Sequence, residues 1–317
     1  MRILVIGAGA IGGYFGGRLL EAGRDVTFLV RPRRAADLAR TGLSIRSRVG
    51  DVDLPNPPVI SEDALAATFD LVLLACKAYD LESAMTSFAP AVGAATAILP
   101  LLNGIRHLEA LQARFGAAAV LGGQCLISTA LDPDGRIIHL GDAHILTFGE
   151  LTRSCSTRVE TIVAELSGAR FEVRSSDAIL QEMWEKWVFI ASGAGITCLM
   201  RAAIGDIVSA GAADLATGLF AECSAIAAKQ DFPPRPEFAE RTRTMLTTPA
   251  SPLTSSMLRD IERSAPVEAD HILGDLLRRA GPGADKPLLR LAYSHTKVYE
   301  ARRARTNAAQ HYTGDAS

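Results

Sequence analysis

Two groups of residues in this chain have the types and spacing to do chemistry. Residues 7 to 12, Gly-Ala-Gly-Ala-Ile-Gly, fit the pattern G-x-G-x-x-G directly after the apolar run ILVI. Such a turn offers backbone N–H groups to a pyrophosphate at the start of a helix. Gly7 permits the tight turn, Gly9 lets the backbone approach the phosphates, and Gly12 lets the helix lie close to its strand. Ala8, Ala10 and Ile11 complete that cradle. The second group centres on Lys186 in Met183–Ala191, MWEKWVFIA, where Met183, Phe189 and Ile190 make the surroundings mostly apolar. Partial desolvation lowers the pKa of a lysine and makes its ammonium a better general acid near neutral pH. Hydride addition to a ketone leaves negative charge on oxygen, which a nearby cation stabilises and then protonates. The plainer reading pairs Lys186 with Glu182, four residues earlier, in a surface ion pair worth about 0.3–0.5 kcal/mol.

The elements that must position these residues follow from the pattern. From Arg2 to about Arg174, short β-branched or Leu-rich runs (ILVIGAG, DVTFLV, FDLVLLAC, AATAILP) alternate with helical stretches. That alternation predicts an α/β, Rossmann-type doubly wound parallel sheet. RIIHL, AHILTFG and ARFEV read as further strands at one edge of that sheet, separated by turn residues. From about Asp177 onward the apolar residues recur at i, i+3, i+4, and the rest reads as all-helical. The expected domains are therefore a nucleotide-binding domain over residues 1–176 and a helical substrate and dimerisation domain over 177–317.

The end of the second strand bears on which dinucleotide is bound. An NAD site commonly places Asp or Glu there, whereas FLVRPRRAADL offers Arg31, Arg33 and Arg34. A guanidinium clamps a 2′-phosphate, so NADP(H) is the expected cofactor and Arg31 its ligand. Three solvated arginines at a helix start are the alternative, though cations there oppose the helix dipole. Lys77 and Asn103 follow the strands LVLLAC and AILP, at the carboxyl edge where open parallel sheets bind ligands. A solvated lysine and a capping or turn asparagine are their plainer readings. Glu268 follows Pro266 at an apparent helix start, and Ser256 falls in a helix's first turn.

Composition narrows the partners. Thirty-three basic against thirty-five acidic residues give a net charge of −2, which favours neither nucleic acid nor an anionic membrane. Five scattered cysteines without a C-x-x-C pair suit reduced thiols. The N-terminus runs straight into a strand pattern with no room for a signal peptide, so a cytoplasmic location is expected. No residue pattern suggests a metal site.

With these residues in hand, the chain resembles the ketopantoate reductases. GAGAIG, the arginine ending the second strand, Lys77 in ACKAYD, Asn103 in LPLLNG, Lys186 in MWEKW, Ser256 in TSSMLRDIER and Glu268 in PVEADHILG stand in a similar order and spacing. The resemblance implies NADPH-dependent reduction of 2-dehydropantoate to pantoate, a step toward pantothenate and coenzyme A. It implies Lys186 as proton donor, and Lys77 and Asn103 facing the nicotinamide end of the cofactor. It also implies Glu268 near the nicotinamide ribose and the lysine, and Asn103, Lys186 and Ser256 in contact with the substrate. A homodimer through the helical domain is a further implication. Family members of the pantoate-forming type carry asparagines where this chain has Ile190, Ala194 and Ile204. Aliphatics there would leave substrate polar groups unpaired at about 1–3 kcal/mol each. That suits a more apolar 2-oxo acid, and a non-catalytic NADP-binding sensor is the alternative from another class.

Overall fold

The computed structural model describes residues 1–314 and divides into two compact units, Met1–Met183 and Trp184 onward. In the first unit β1 (Arg2–Ile6), α1 (Ala10–Glu21), β2 (Asp25–Leu29), α2 (Pro32–Thr41), β3 (Leu43–Arg46), β4 (Val52–Leu54) and β5 (Val59–Ile60) follow one another. Next come β6 (Phe69–Leu74), α3 (Leu81–Phe88), β7 (Val92–Pro100), α4 (Arg106–Phe115), β8 (Gly122–Leu131), β9 (Ile137–Gly149), α5 (Thr157–Leu166) and β10 (Glu172–Ser175).

Among the described residues the strands form two five-stranded sheets. The first has the order β5-β2-β1-β6-β7, every pair parallel. Ile3–Ile6 of β1 and Leu71–Leu74 of β6 are all buried, which is why these strands read as unbroken apolar runs rather than alternating ones. The chain adds β2 and β5 on one side of β1 and then crosses to β6 and β7 on the other. A crevice therefore opens at the carboxyl ends of β1 and β6, the topological switch point.

The second sheet corrects the expectation drawn from RIIHL, AHILTFG and ARFEV. They do not extend the edge of the parallel sheet; they belong to a separate sheet ordered β10-β9-β3-β4, with β8 antiparallel to β9. RIIHL and AHILTFG are one strand, β9, running through Gly141-Asp142-Ala143. Helix α1 packs against both sheets, and its residues Gly12–Leu19 are buried throughout. Its small residues permit this: a Cβ on Gly16 would lie 2.6 Å from Phe28 of β2, and one on Gly17 would lie 2.8 Å from Ile45 of β3.

The division between the units falls inside α6 (Ile179–Met200). The second unit continues with α7 (Ile204–Ser209), α8 (Ala213–Lys229), α9 (Pro236–Thr247) and α10 (Ser256–Glu262). A π-helical turn (Asp270–Gly274) then leads into α11 (Asp275–Ala280), and α12 (Pro287–Gly314) follows. Helix α8 packs against α9, α11 and α12, and Trp184, Trp187, Phe220, Leu273 and Leu276 lie in the core. Among the described residues no helix is long and apolar enough to cross a membrane.

Candidate active site

Four adjacent strands of the first sheet end in the residues singled out from sequence. β1 leads into Gly7, β2 into Arg31, β6 into Lys77 and β7 into Asn103. The edge is stitched by Gly7 N–H to Leu29 O (3.0 Å), Ala75 N–H to Ile6 O (3.3 Å) and Leu101 N–H to Leu74 O (2.9 Å). The structure thus brings Gly7–Gly12, Arg31, Lys77 and Asn103 to one edge of one sheet.

The glycine turn has the geometry its pattern requires. Gly7 sits at φ +89°, in the left-handed region. A Cβ on Gly12 would lie 2.1 Å from the Gly7 carbonyl oxygen, so no side chain fits there. Gly9 differs: it caps α1 without any side-chain hydrogen bond, and a Cβ added to it would meet nothing within 4 Å. Open space in front of uncapped helix N–H groups is what an anionic group needs.

Around the turn, Arg31 precedes Pro32 at the start of α2 and is largely exposed. Its Nη2 donates to Asp80 Oδ1 at 2.6 Å, and that bond raises the guanidinium pKa. The carboxylate answers the dipole objection to a cation here. Sequence reasoning missed Asp80; its signal was an acid three residues after Lys77 in KAYD. Arg34 turns the other way, its Nε donating to the Ala8 carbonyl at 3.0 Å, and burial lowers its pKa. Lys77 is half-buried and heads the short turn Ala78–Asp80, its carbonyl accepting from Asp80 N–H at 2.9 Å. Asn103, also half-buried, does not cap α4, whose capping position is Ile105.

The helical unit holds the remaining candidates. Lys186 is half-buried on α6 between Glu185 and Trp187, both buried. Glu182 accepts from Ser176 Oγ at 2.6 Å and Gln124 Nε2 at 3.1 Å. Glu185 accepts from Arg235 through its backbone N–H (2.9 Å), Nε (2.8 Å) and Nη2 (2.5 Å). The Trp187 indole donates to the Ile272 carbonyl in the π-helical turn at 2.9 Å. Glu268 is half-buried just ahead of that turn, its carbonyl accepting from Ile272 N–H at 2.9 Å. Of the two serines in TSSM, Ser255 is the cap of α10, accepting from Leu258 N–H at 3.0 Å and from Thr197 Oγ1 at 2.8 Å. Ser256 begins the helix and is exposed. Of the three aliphatic positions, Ile190 is half-buried, whereas Ala194 and Ile204 are buried, at 2% and 0% exposure. Only the first of these can touch a ligand without rearrangement.

Comparison with known proteins agrees with this fold. A family model described as ketopantoate reductase PanE/ApbA matches residues 3–153, and its C-terminal counterpart matches residues 178–300. An uncharacterized oxidoreductase of Bacillus subtilis, YkpB, is 39% identical over 303 residues, spanning 95% of this chain and 99% of its own. The crystal structure of a 2-dehydropantoate 2-reductase from Geobacter metallireducens superposes with a TM-score of 0.84 at 28% identity, covering 94% of this chain and 99% of that one. The ternary structure of a D-mandelate dehydrogenase with NADH and anilino(oxo)acetate gives a TM-score of 0.86 at 20% identity, over 96% and 100% of the two chains, a likeness of fold.

Proposed function

Because the chain belongs to the ketopantoate reductase PanE/ApbA family, we propose that it is an NADPH-dependent 2-oxo-acid reductase whose first substrate to test is 2-dehydropantoate, reduced to pantoate. The observation that carries this reading is the convergence of the glycine turn, Arg31, Lys77 and Asn103 on the carboxyl edge of four adjacent parallel strands. In it, residues 1–176 bind the nucleotide and contribute Asn103 to the substrate, and residues 177–317 supply the other substrate contacts and the proton. The open space over Gly9 and the uncapped N-terminus of α1 fit a dinucleotide pyrophosphate.

NADPH, when bound, supplies the hydride to the keto carbon. The chain does the rest. Backbone N–H groups of residues 8–12 would hold the pyrophosphate, and Arg31, oriented by Asp80, would bind the 2′-phosphate. Lys77 and Asn103 would hold the nicotinamide end and, through Asn103, the substrate. Lys186 stabilises the charge that develops on the keto oxygen and protonates it. Glu268 holds the lysine's charge and position, and the exposed Ser256 hydroxyl takes the substrate carboxylate.

Ile190 favours a second reading of the substrate. A half-buried aliphatic one helical turn beyond Lys186 offers no partner for a hydroxyl and suits an apolar side chain. The test is loss of NADPH absorbance with ketopantoate and a panel of branched and aromatic 2-oxo acids. Turnover with ketopantoate highest supports the first reading, and preference for an apolar acid supports the second. Tight NADPH binding with no turnover on any of them overturns the reductase assignment in favour of a nucleotide sensor.

A further inference from the structure

The helical unit contains a tie that none of the roles above uses. Trp187 follows Lys186 directly and is fully buried. Its indole is fixed on several sides: the ring lies 4.9 Å from Trp184, and Arg279 sits 5.7 Å above it. Arg279 is in turn held by the buried Asp275 through Nε at 2.9 Å. The indole N–H therefore has one direction available, and it meets the Ile272 carbonyl at 2.9 Å. Ile272 is held at its other end too, its N–H donating to the carbonyl of Glu268 at 2.9 Å. Chain from Lys186 to Glu268 thus runs through one covalent neighbour and two hydrogen bonds.

The turn so held is π-helical, with Asp275 N–H bonded to the Asp270 carbonyl. Such turns break the regular helical ladder and need support from outside it. Its outer side is anchored by Tyr293 Oη and Lys297 Nζ donating to Asp270, at 2.6 and 2.9 Å. Trp187 supplies the anchor from α6. We propose that Trp187 is a positioning residue: it fixes the π-helical turn against α6 and so sets the distance between the Lys186 ammonium and the Glu268 carboxylate. This rests on the reductase reading, in which Lys186 gives the proton and Glu268 holds it in place. A proton donor displaced by a fraction of an ångström loses rate while binding is kept.

Two replacements remove the N–H: Trp187→Phe, which also gives up one ring of the buried pair, and the benzothiophene analogue of tryptophan, which retains both fused rings and separates loss of the hydrogen bond from loss of volume. Hydrogen exchange followed by mass spectrometry reads the tie whatever the enzyme reduces. Both replacements should raise exchange of amides 268–274 about tenfold relative to those of α8, the size expected for loss of one hydrogen bond. Unchanged exchange overturns the inference. Kinetics reads the consequence: kcat should fall about tenfold while KM for the oxo acid and Kd for NADPH stay within about twofold. In a Glu268→Gln background the same replacements should cost less than about twofold, because the group they position is gone. An equal loss in both backgrounds, or an unchanged kcat, overturns the positioning role. An enzyme inert toward every oxo acid, with exchange still raised in the variants, overturns the reductase reading and the positioning role while the tie itself stands.

Discussion

Gly9 and Gly12 lie three residues apart in the same turn, yet Gly9→Ala and Gly12→Ala should fail in opposite ways. Gly9 has φ −83° and ψ −163°, a conformation alanine adopts freely, and its added Cβ would meet nothing within 4 Å. Replacing glycine where the backbone is compatible stabilises by about 0.4–1 kcal/mol through the unfolded chain. For a unit of this size that is a rise in Tm of about 1–4 °C. The same methyl would stand where the pyrophosphate must approach. Losing one or two charge-assisted bonds, at about 1.5–3 kcal/mol each, raises the Kd for NADPH by at least about tenfold. At Gly12 the Cβ would instead lie 2.1 Å from the Gly7 carbonyl oxygen and 3.0 Å from Ala75 Cβ. Backbone on one side and the sheet on the other leave no room to give, so α1 must shift at a cost of about 1–3 kcal/mol or more. Thermal denaturation without ligand, and NADPH fluorescence titration of each variant, separate the two. Gly9→Ala binding NADPH as tightly as the wild type would refute the placement of the phosphates over Gly9. A fall in Tm for Gly9→Ala as large as that for Gly12→Ala would refute the reading of the open space.

Three further outcomes are expected. Arg31→Ala should weaken NADPH about tenfold or more and NADH less than about twofold in parallel titrations, with little change in Tm because the exposed Arg31–Asp80 pair contributes at most about 1 kcal/mol; equal effects on the two cofactors would remove the 2′-phosphate role. Ile190→Asn should raise kcat/KM for ketopantoate relative to an apolar 2-oxo acid by about tenfold, since it restores a partner for a substrate hydroxyl; an unchanged ratio would place Ile190 away from the substrate. His144, bonded through Nδ1 to Tyr14 Oη at 2.8 Å, has its pKa pushed below 6.5 by burial and by His139 and Arg18. Between its lowered folded value and about 6.5 the unfolded chain takes up a proton that the folded chain refuses, so stability falls as pH drops through that window. His144→Gln should flatten Tm against pH there, and an unaltered slope would contradict this.

Elements whose own residues carry an apolar run or a helical period were legible, and pairings or bends fixed by contacts with other elements were not. The run ILVIGAG named β1 because a strand buried on both faces shows as unbroken hydrophobicity. The parallel pairing of β3 with β9 joins Ile45 to Ile137, far apart in sequence, and local periodicity carries no trace of it. Gly141-Asp142-Ala143 reads like a turn and so divides β9 in two; the chain in fact bulges there and β8 pairs with β9 on both sides of the bulge, Ile127 with His144 and Thr129 with His139. In the helical half each long amphipathic segment became a helix, yet the π-helical turn in EADHILG left no mark, since Trp187, Tyr293 and Lys297 reach it from other elements. The carboxyl-edge residues could be found because a strand's end is visible in sequence. Asp80 escaped because its partner, Arg31, lies on another strand's end. Thr-Ser-Ser likewise could not reveal which serine caps α10; packing of Ser255 against Thr197 decides it.

The central claim is that this chain delivers a proton from Lys186 during NADPH-dependent reduction of a 2-oxo acid. Its most direct test is single-turnover NADPH oxidation by wild type and Lys186→Ala, using the best acid of the substrate panel at saturating cofactor. The account predicts a loss of about a hundredfold or more in the hydride-transfer rate, with the Kd for NADPH unchanged. A Lys186→Ala enzyme that turns over at the wild-type rate would contradict it.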